Sequence, residues 1–83
     1  MMNILFFASL RENLNTEHEH WTDMQGIHTP KDLVDKLQER GEPWLSALKN
    51  PQLIISVNQE ISDANTKLKL GDEVAFFPPV TGG

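Results

Sequence analysis

Apolar side chains along this chain fall mostly in short runs, with two stretches at helical spacing. Ile4-Leu5-Phe6-Phe7-Ala8 is continuous and rich in aromatics, and it reads as a strand with apolar side chains on both faces. Ser9 to Asn15 is polar and is expected to turn. A weaker strand is expected from about Thr16 to Met24, anchored by Trp21. Thr29-Pro30-Lys31-Asp32 carries helix-start chemistry, with Thr29 as N-cap, Pro30 at N1 and Asp32 at N3 near the positive end of the dipole. Leu33, Val34 and Leu37 then form one apolar stripe, and Gly41 with Pro43 stops the helix. Trp44, Leu45 and Leu48 suggest a short second helix, which Asn50-Pro51 ends. Leu53 to Val57 reads as a strand and Asn58-Gln59-Glu60 as the turn out of it. After Ile61 the chain is polar, Gly71-Asp72 marks a tight turn, and Glu73 to Phe77 is the last strand. Pro78-Pro79 ends that strand because neither proline can donate to a ladder.

This order gives an α+β domain with one sheet, one main helix and a short second helix. A connection through a helix asks its flanking strands to be parallel neighbours, so the sheet is expected to be mixed, the pattern of a β-grasp. The domain is expected over residues 1–77, with 78–83 as a flexible tail ending in Gly-Gly. Parity places Ile4, Phe6, Val57, Val74 and Phe76 under the helical stripe of Leu33, Val34 and Leu37 as the core. Leu5, Phe7 and Phe77 then point to the face that the helix leaves open. An open aromatic patch marks a partner surface, unless loops or Trp44 cover it.

Composition narrows the chemistry. The net charge of −5 disfavours nucleic acid and anionic membranes and fits a protein partner with a basic surface. No segment is long and apolar enough for a membrane span, and the N-terminus lacks the features of a secretory signal, so a cytoplasmic location is expected. The chain has no cysteine, which removes disulfides, thiolate nucleophiles and Cys-ligated metals. His18 and His20 sit two apart on an expected strand, but no third ligand is evident, so no metal site is assigned and both read as solvated. Trp21 and Trp44 read as packing residues, and Asp72 and Glu73 as shaping a turn or meeting a partner.

The chain end is the sharper feature. Fully extended, the six residues after Phe77 reach about 20 Å. Without Cβ atoms, Gly82 and Gly83 can enter a channel too narrow for side chains, and the terminal acyl carbon is unhindered. By itself a final Gly-Gly also reads as a plain chain end. The run from Gly71 through Phe76-Phe77-Pro78-Pro79-Val80-Thr81-Gly82-Gly83 resembles the C-terminal signature of the ubiquitin-like small subunits of molybdopterin synthase. Leu5-Phe6-Phe7-Ala8 with Arg11-Glu12 is similar to that family's first strand and turn, and Val57-Asn58-Gln59 to its third-strand exit.

The resemblance implies a sulfur carrier that is not catalytic alone and acts as the sulfur-donating subunit of a sulfurtransferase complex. Gly83 would be adenylated with ATP by an activating enzyme of the ubiquitin-activating type and then converted to a thiocarboxylate. The tail, Pro78 to Gly83, would enter the large synthase subunit, in a heterotetramer, and donate sulfur to cyclic pyranopterin monophosphate for the molybdenum cofactor. The carrier itself would bind no cofactor. Leu5, Phe7, Arg11, Ile61 and Phe77 would form the docking surface; Ile61 stands where the family tends to have leucine. Two other classes compete: a carrier or modifier with another client, such as the thiamine-pathway carrier or a ubiquitin-like tag, and a noncatalytic interaction module. The double proline before the tail favours the first reading over the thiamine carrier.

Overall fold

The computed structural model describes residues 1–24 and 26–79. Five strands, β1 (Met2–Phe6), β2 (His18–Trp21), β3 (Ile54–Val57), β4 (Glu60–Ser62) and β5 (Glu73–Phe77), form one sheet in the order β2-β1-β5-β3-β4. Three helices accompany them: α1 (Ala8–Leu14), α2 (Pro30–Gln38) and α3 (Trp44–Ala47). The first and last strands pair in parallel at the centre, Ile4 opposite Val74 and Phe6 opposite Phe76, while every other pairing is antiparallel. The sheet is mixed as expected, but not for the expected reason. The strands flanking α2, β2 and β3, run in the same direction with β1 and β5 between them.

Helix α2 starts where its cap chemistry directs. Thr29 Oγ1 accepts from the Asp32 amide at 3.3 Å, and Asp32 Oδ2 accepts from the Thr29 and His28 amides at 3.2 and 2.9 Å. That capping box satisfies helix-start donors that would otherwise lack partners. Leu33 and Leu37 are fully buried, and Val34 packs half-buried at the edge of the core. Ile4, Phe6, Val74 and Phe76 lie beneath them, with Phe6 stacked on Phe76 at 5.8 Å and met edge-on by Trp44 at 5.5 Å. Met2, Ile27, Leu48 and Ile55 complete this layer.

Three sequence expectations need correction. The first strand ends at Phe6, because Ala8 has φ +53° and turns the chain directly into α1. Ser9 to Asn15 is therefore not a turn but most of a helix, which buries Leu10 and Leu14. Those two leucines are four apart, so they share a helix face despite the polar residues between them. Glu60–Ser62 is a strand rather than the beginning of a loop, joined to β3 by a two-residue turn. Among the described residues, no helix is long and apolar enough to cross a membrane.

Candidate docking face

The helices cover one face of the sheet and leave the other to solvent. On the open face, register sets Leu5 beside Ala75, Ala75 beside Ser56, Ser56 beside Ile61 and Ile54 beside Phe77. Trp44, which the sequence allowed as a cover for this face, packs instead on Phe6 of the opposite one. Among the described residues the result is a shallow groove of about 380 Å³ lined by Leu5, Phe7, Ser56, Gln59, Ile61, Glu73, Ala75 and Phe77.

Phe7 is presented by the corner between β1 and α1. Its amide still donates to the Phe76 carbonyl at 3.1 Å, which holds it to the sheet. The left-handed Ala8 behind it then diverts the backbone into α1. Its ring stacks nearly parallel on Phe77, centroids 4.6 Å apart, yet remains 37% exposed. Ile61 is 76% exposed on the edge strand β4. Two apolar side chains this open beside a half-buried aromatic are what a partner surface offers. Arg11 is exposed one helical turn after Phe7 and does not line the groove.

Polar groups fix the far end of this groove. Asn58 (φ +52°) and Gln59 (φ +70°) are both left-handed, the pattern of a tight I′ hairpin turn. The Asn58 Nδ2 donates to Asp72 Oδ1 at 3.0 Å, and Asn58 Oδ1 accepts from the Glu73 amide at 3.0 Å. Asp72, only 4% exposed, also accepts from the Lys69 amide at 2.9 Å through Oδ2. The hairpin turn and the entry to β5 are thus one hydrogen-bonded unit, and Asp72 is a structural residue. Glu73, its neighbour, lines the groove.

The structure brings Leu5, Phe7, Ile61 and Phe77 together, sets Arg11 to one side, and leads β5 from the groove into half-buried Pro78 and Pro79. Val80, Thr81, Gly82 and Gly83 lie outside the described residues. Sequence reasoning did not single out Ser56 or Gln59 for the groove, and offered Glu73 only as shaping a turn or meeting a partner. Two-residue parity from Phe77 and Ala75 reaches Glu73, and the Ser56–Ala75 pairing adds Ser56, but that pairing is not readable from one strand alone. His18 and His20 share the open face at its β2 edge, rings 4.9 Å apart, and His20 Nδ1 is hydrogen-bonded to Asn3 Oδ1. No group of three or more His, Cys, Asp or Glu suited to a metal exists among the described residues.

Comparison with known proteins bears on this geometry. The model of the ThiS family matches residues 4–83. The molybdopterin synthase sulfur carrier subunit of Haemophilus influenzae is 37% identical over 83 residues, covering all of both chains. The crystal structure of SAMP1 from Haloferax volcanii superposes with a TM-score of 0.77 at 28% identity, covering 99% of this chain and 98% of that one. A chain in the protein–protein complex of subunits 1 and 2 of molybdopterin-converting factor from Helicobacter pylori gives a TM-score of 0.63, also at 28% identity, covering 99% and 97%.

Proposed function

The chain belongs to the ThiS family, and from that premise we propose that it is the sulfur carrier subunit of a molybdopterin synthase, with Gly83 as the group that carries sulfur. The observation that carries this reading is the continuity between groove and tail. Strand β5 places Phe77 in the groove and passes straight into the segment that ends in Gly-Gly. A partner seated on Leu5, Phe7, Ile61 and Phe77 would receive Gly83 at a distance fixed by the tail's length.

The missing thiol is consistent with the chemistry that the family resemblance implies, with sulfur carried on the chain end. A carboxylate resists nucleophiles until it is activated. An adenylating enzyme of the ubiquitin-activating type would let the Gly83 carboxylate attack the α-phosphate of ATP, expelling pyrophosphate. Sulfide-level sulfur, delivered as a hydrosulfide equivalent, would then displace AMP from the acyl carbon and leave a thiocarboxylate. Docked on the large subunit, within a heterotetramer, each carrier would deliver one sulfur to cyclic pyranopterin monophosphate, so a dithiolene needs two carriers. The carrier is not catalytic alone: it supplies the sulfur, and its partners supply the sites. Arg11, exposed one helical turn after Phe7, would meet an acidic group on the partner.

The test is the mass of the protein after reaction with its activating enzyme, ATP and a sulfur source. Wild type should gain the difference between one sulfur and one oxygen. Deleting Gly83 retracts the carboxylate by about 3.5 Å, where a misplacement of ~1 Å can lower a rate a hundredfold. The truncated protein should fold normally and fail to gain sulfur. Equal thiocarboxylation of both proteins would remove Gly83 as the active end. The likeness to SAMP1, named a modifier protein, favours one second reading, a tag joined to lysines. Isopeptide conjugates in cells, without thiocarboxylate, would select it.

A further inference from the structure

Gln59 occupies a position that a two-residue hairpin turn normally gives to glycine. With φ at +70° it holds a conformation that disfavours a side chain bearing a Cβ. Its neighbour Asn58 tolerates the left-handed region and uses its side chain within the fold, on Asp72 and the Glu73 amide. No hydrogen bond holds the Gln59 carboxamide among the described residues; it lines the apolar groove instead. A strained, exposed residue whose side chain makes no hydrogen bond among the described residues points to function rather than folding.

We propose that Gln59 is a specificity-determining contact of the docking face, its carboxamide hydrogen-bonding a backbone peptide group of the large synthase subunit. A carboxamide carries a donor and an acceptor side by side, as a peptide group does, so the two match in pairs. Exposed Ile61, two residues along in the same groove, would help a docked partner exclude water from the contact, and a peptide group left unpaired there would be penalised. The inference rests on the docking reading given above.

The experiment measures affinity for the cognate large subunit and thermal stability on the full-length chain. Gln59→Gly removes the carboxamide and the strain together, so Kd should rise roughly tenfold while Tm stays level or increases. Gln59→Asn keeps an amide and tolerates the left-handed backbone, and should recover part of the lost affinity. Phe77→Ala tests the docking face independently. If Phe77→Ala weakens binding and Gln59→Gly does not, the Gln59 inference is wrong and the face stands. A lower Tm with unchanged Kd in Gln59→Gly would assign the residue to folding and overturn the inference. If both variants bind as wild type, the docking reading fails and takes this inference with it.

Discussion

Asp72 shows how one side chain can set the shape of a distant surface. Its carboxylate, nearly excluded from water, accepts from the Asn58 side chain and the Lys69 amide, and its carbonyl accepts from the Asn3 amide at 3.0 Å. One residue therefore ties the start of β1, the entry to β5 and the hairpin that carries Gln59. Replacing it with alanine removes two part-buried hydrogen bonds, each worth about 0.5–1.5 kcal/mol net. Asp72→Ala should lower stability by about 2 kcal/mol, read from urea midpoints, although no apolar contact is removed. A loss within the ~0.5 kcal/mol typical of surface substitutions would mean that water replaces the carboxylate without penalty.

Elements were legible in proportion to how local their cause is. The start of helix α2 was readable to the residue because Thr29, Pro30 and Asp32 act within one turn, whereas the helix ends at Gln38, ahead of the Gly41 stop. Strand β5 was readable because a continuous apolar run lies between a glycine turn and two prolines. Helix α1 was not. Its Leu10 and Leu14 are flanked by Arg11, Glu12 and Asn13, and only the turn at Ala8 and the packing of α1 on α3 and β5 reveal that they are core. Strand β4 was missed because three residues carry no period, and its existence depends on pairing with β3. The same division holds for the docking face: its aromatics were visible by parity, whereas Ser56 and Gln59 join it through cross-strand register and turn geometry. The weight of α1 is testable. Leu14→Ala should cost about 3 kcal/mol as a buried leucine truncation. A loss much below 1 kcal/mol would show α1 to be a surface appendage rather than part of the core.

At the scale of the molecule, the Arg40 guanidinium joins the end of α2 to the edge strand β2. It holds Glu19 through two hydrogen bonds of 2.7 and 2.8 Å and lies 4.4 Å over the Trp44 ring. The hydrogen bond from Arg40 is the main reason that the Glu19 carboxyl titrates below its ordinary value of 4.5. Asp32 and Glu42 are lowered too, by the His28 amide and by Ser46 respectively. A carboxyl depressed in the folded state stabilises it above the unfolded pKa, and that stability is lost as pH falls through the folded pKa. Stability should therefore hold above about pH 4.5 and decline below it, with a shallower decline in Glu19→Gln, measured by denaturant midpoints across that range. Arg40→Ala should cost about 1–2 kcal/mol, the sum of a paired guanidinium and its ring contact. The strand order carries a further consequence. Strands β1 and β3 are not paired; β5, the last in sequence of the described elements, lies between them. A nascent or truncated chain without β5 is left with two separate pairs, β1 with β2 and β3 with β4, too small to hold together in water. Folding thus waits for synthesis to reach β5. A chain cut short within or before that strand would stay open to proteolysis, whereas the sheet can form whether or not the residues after Phe77 are present.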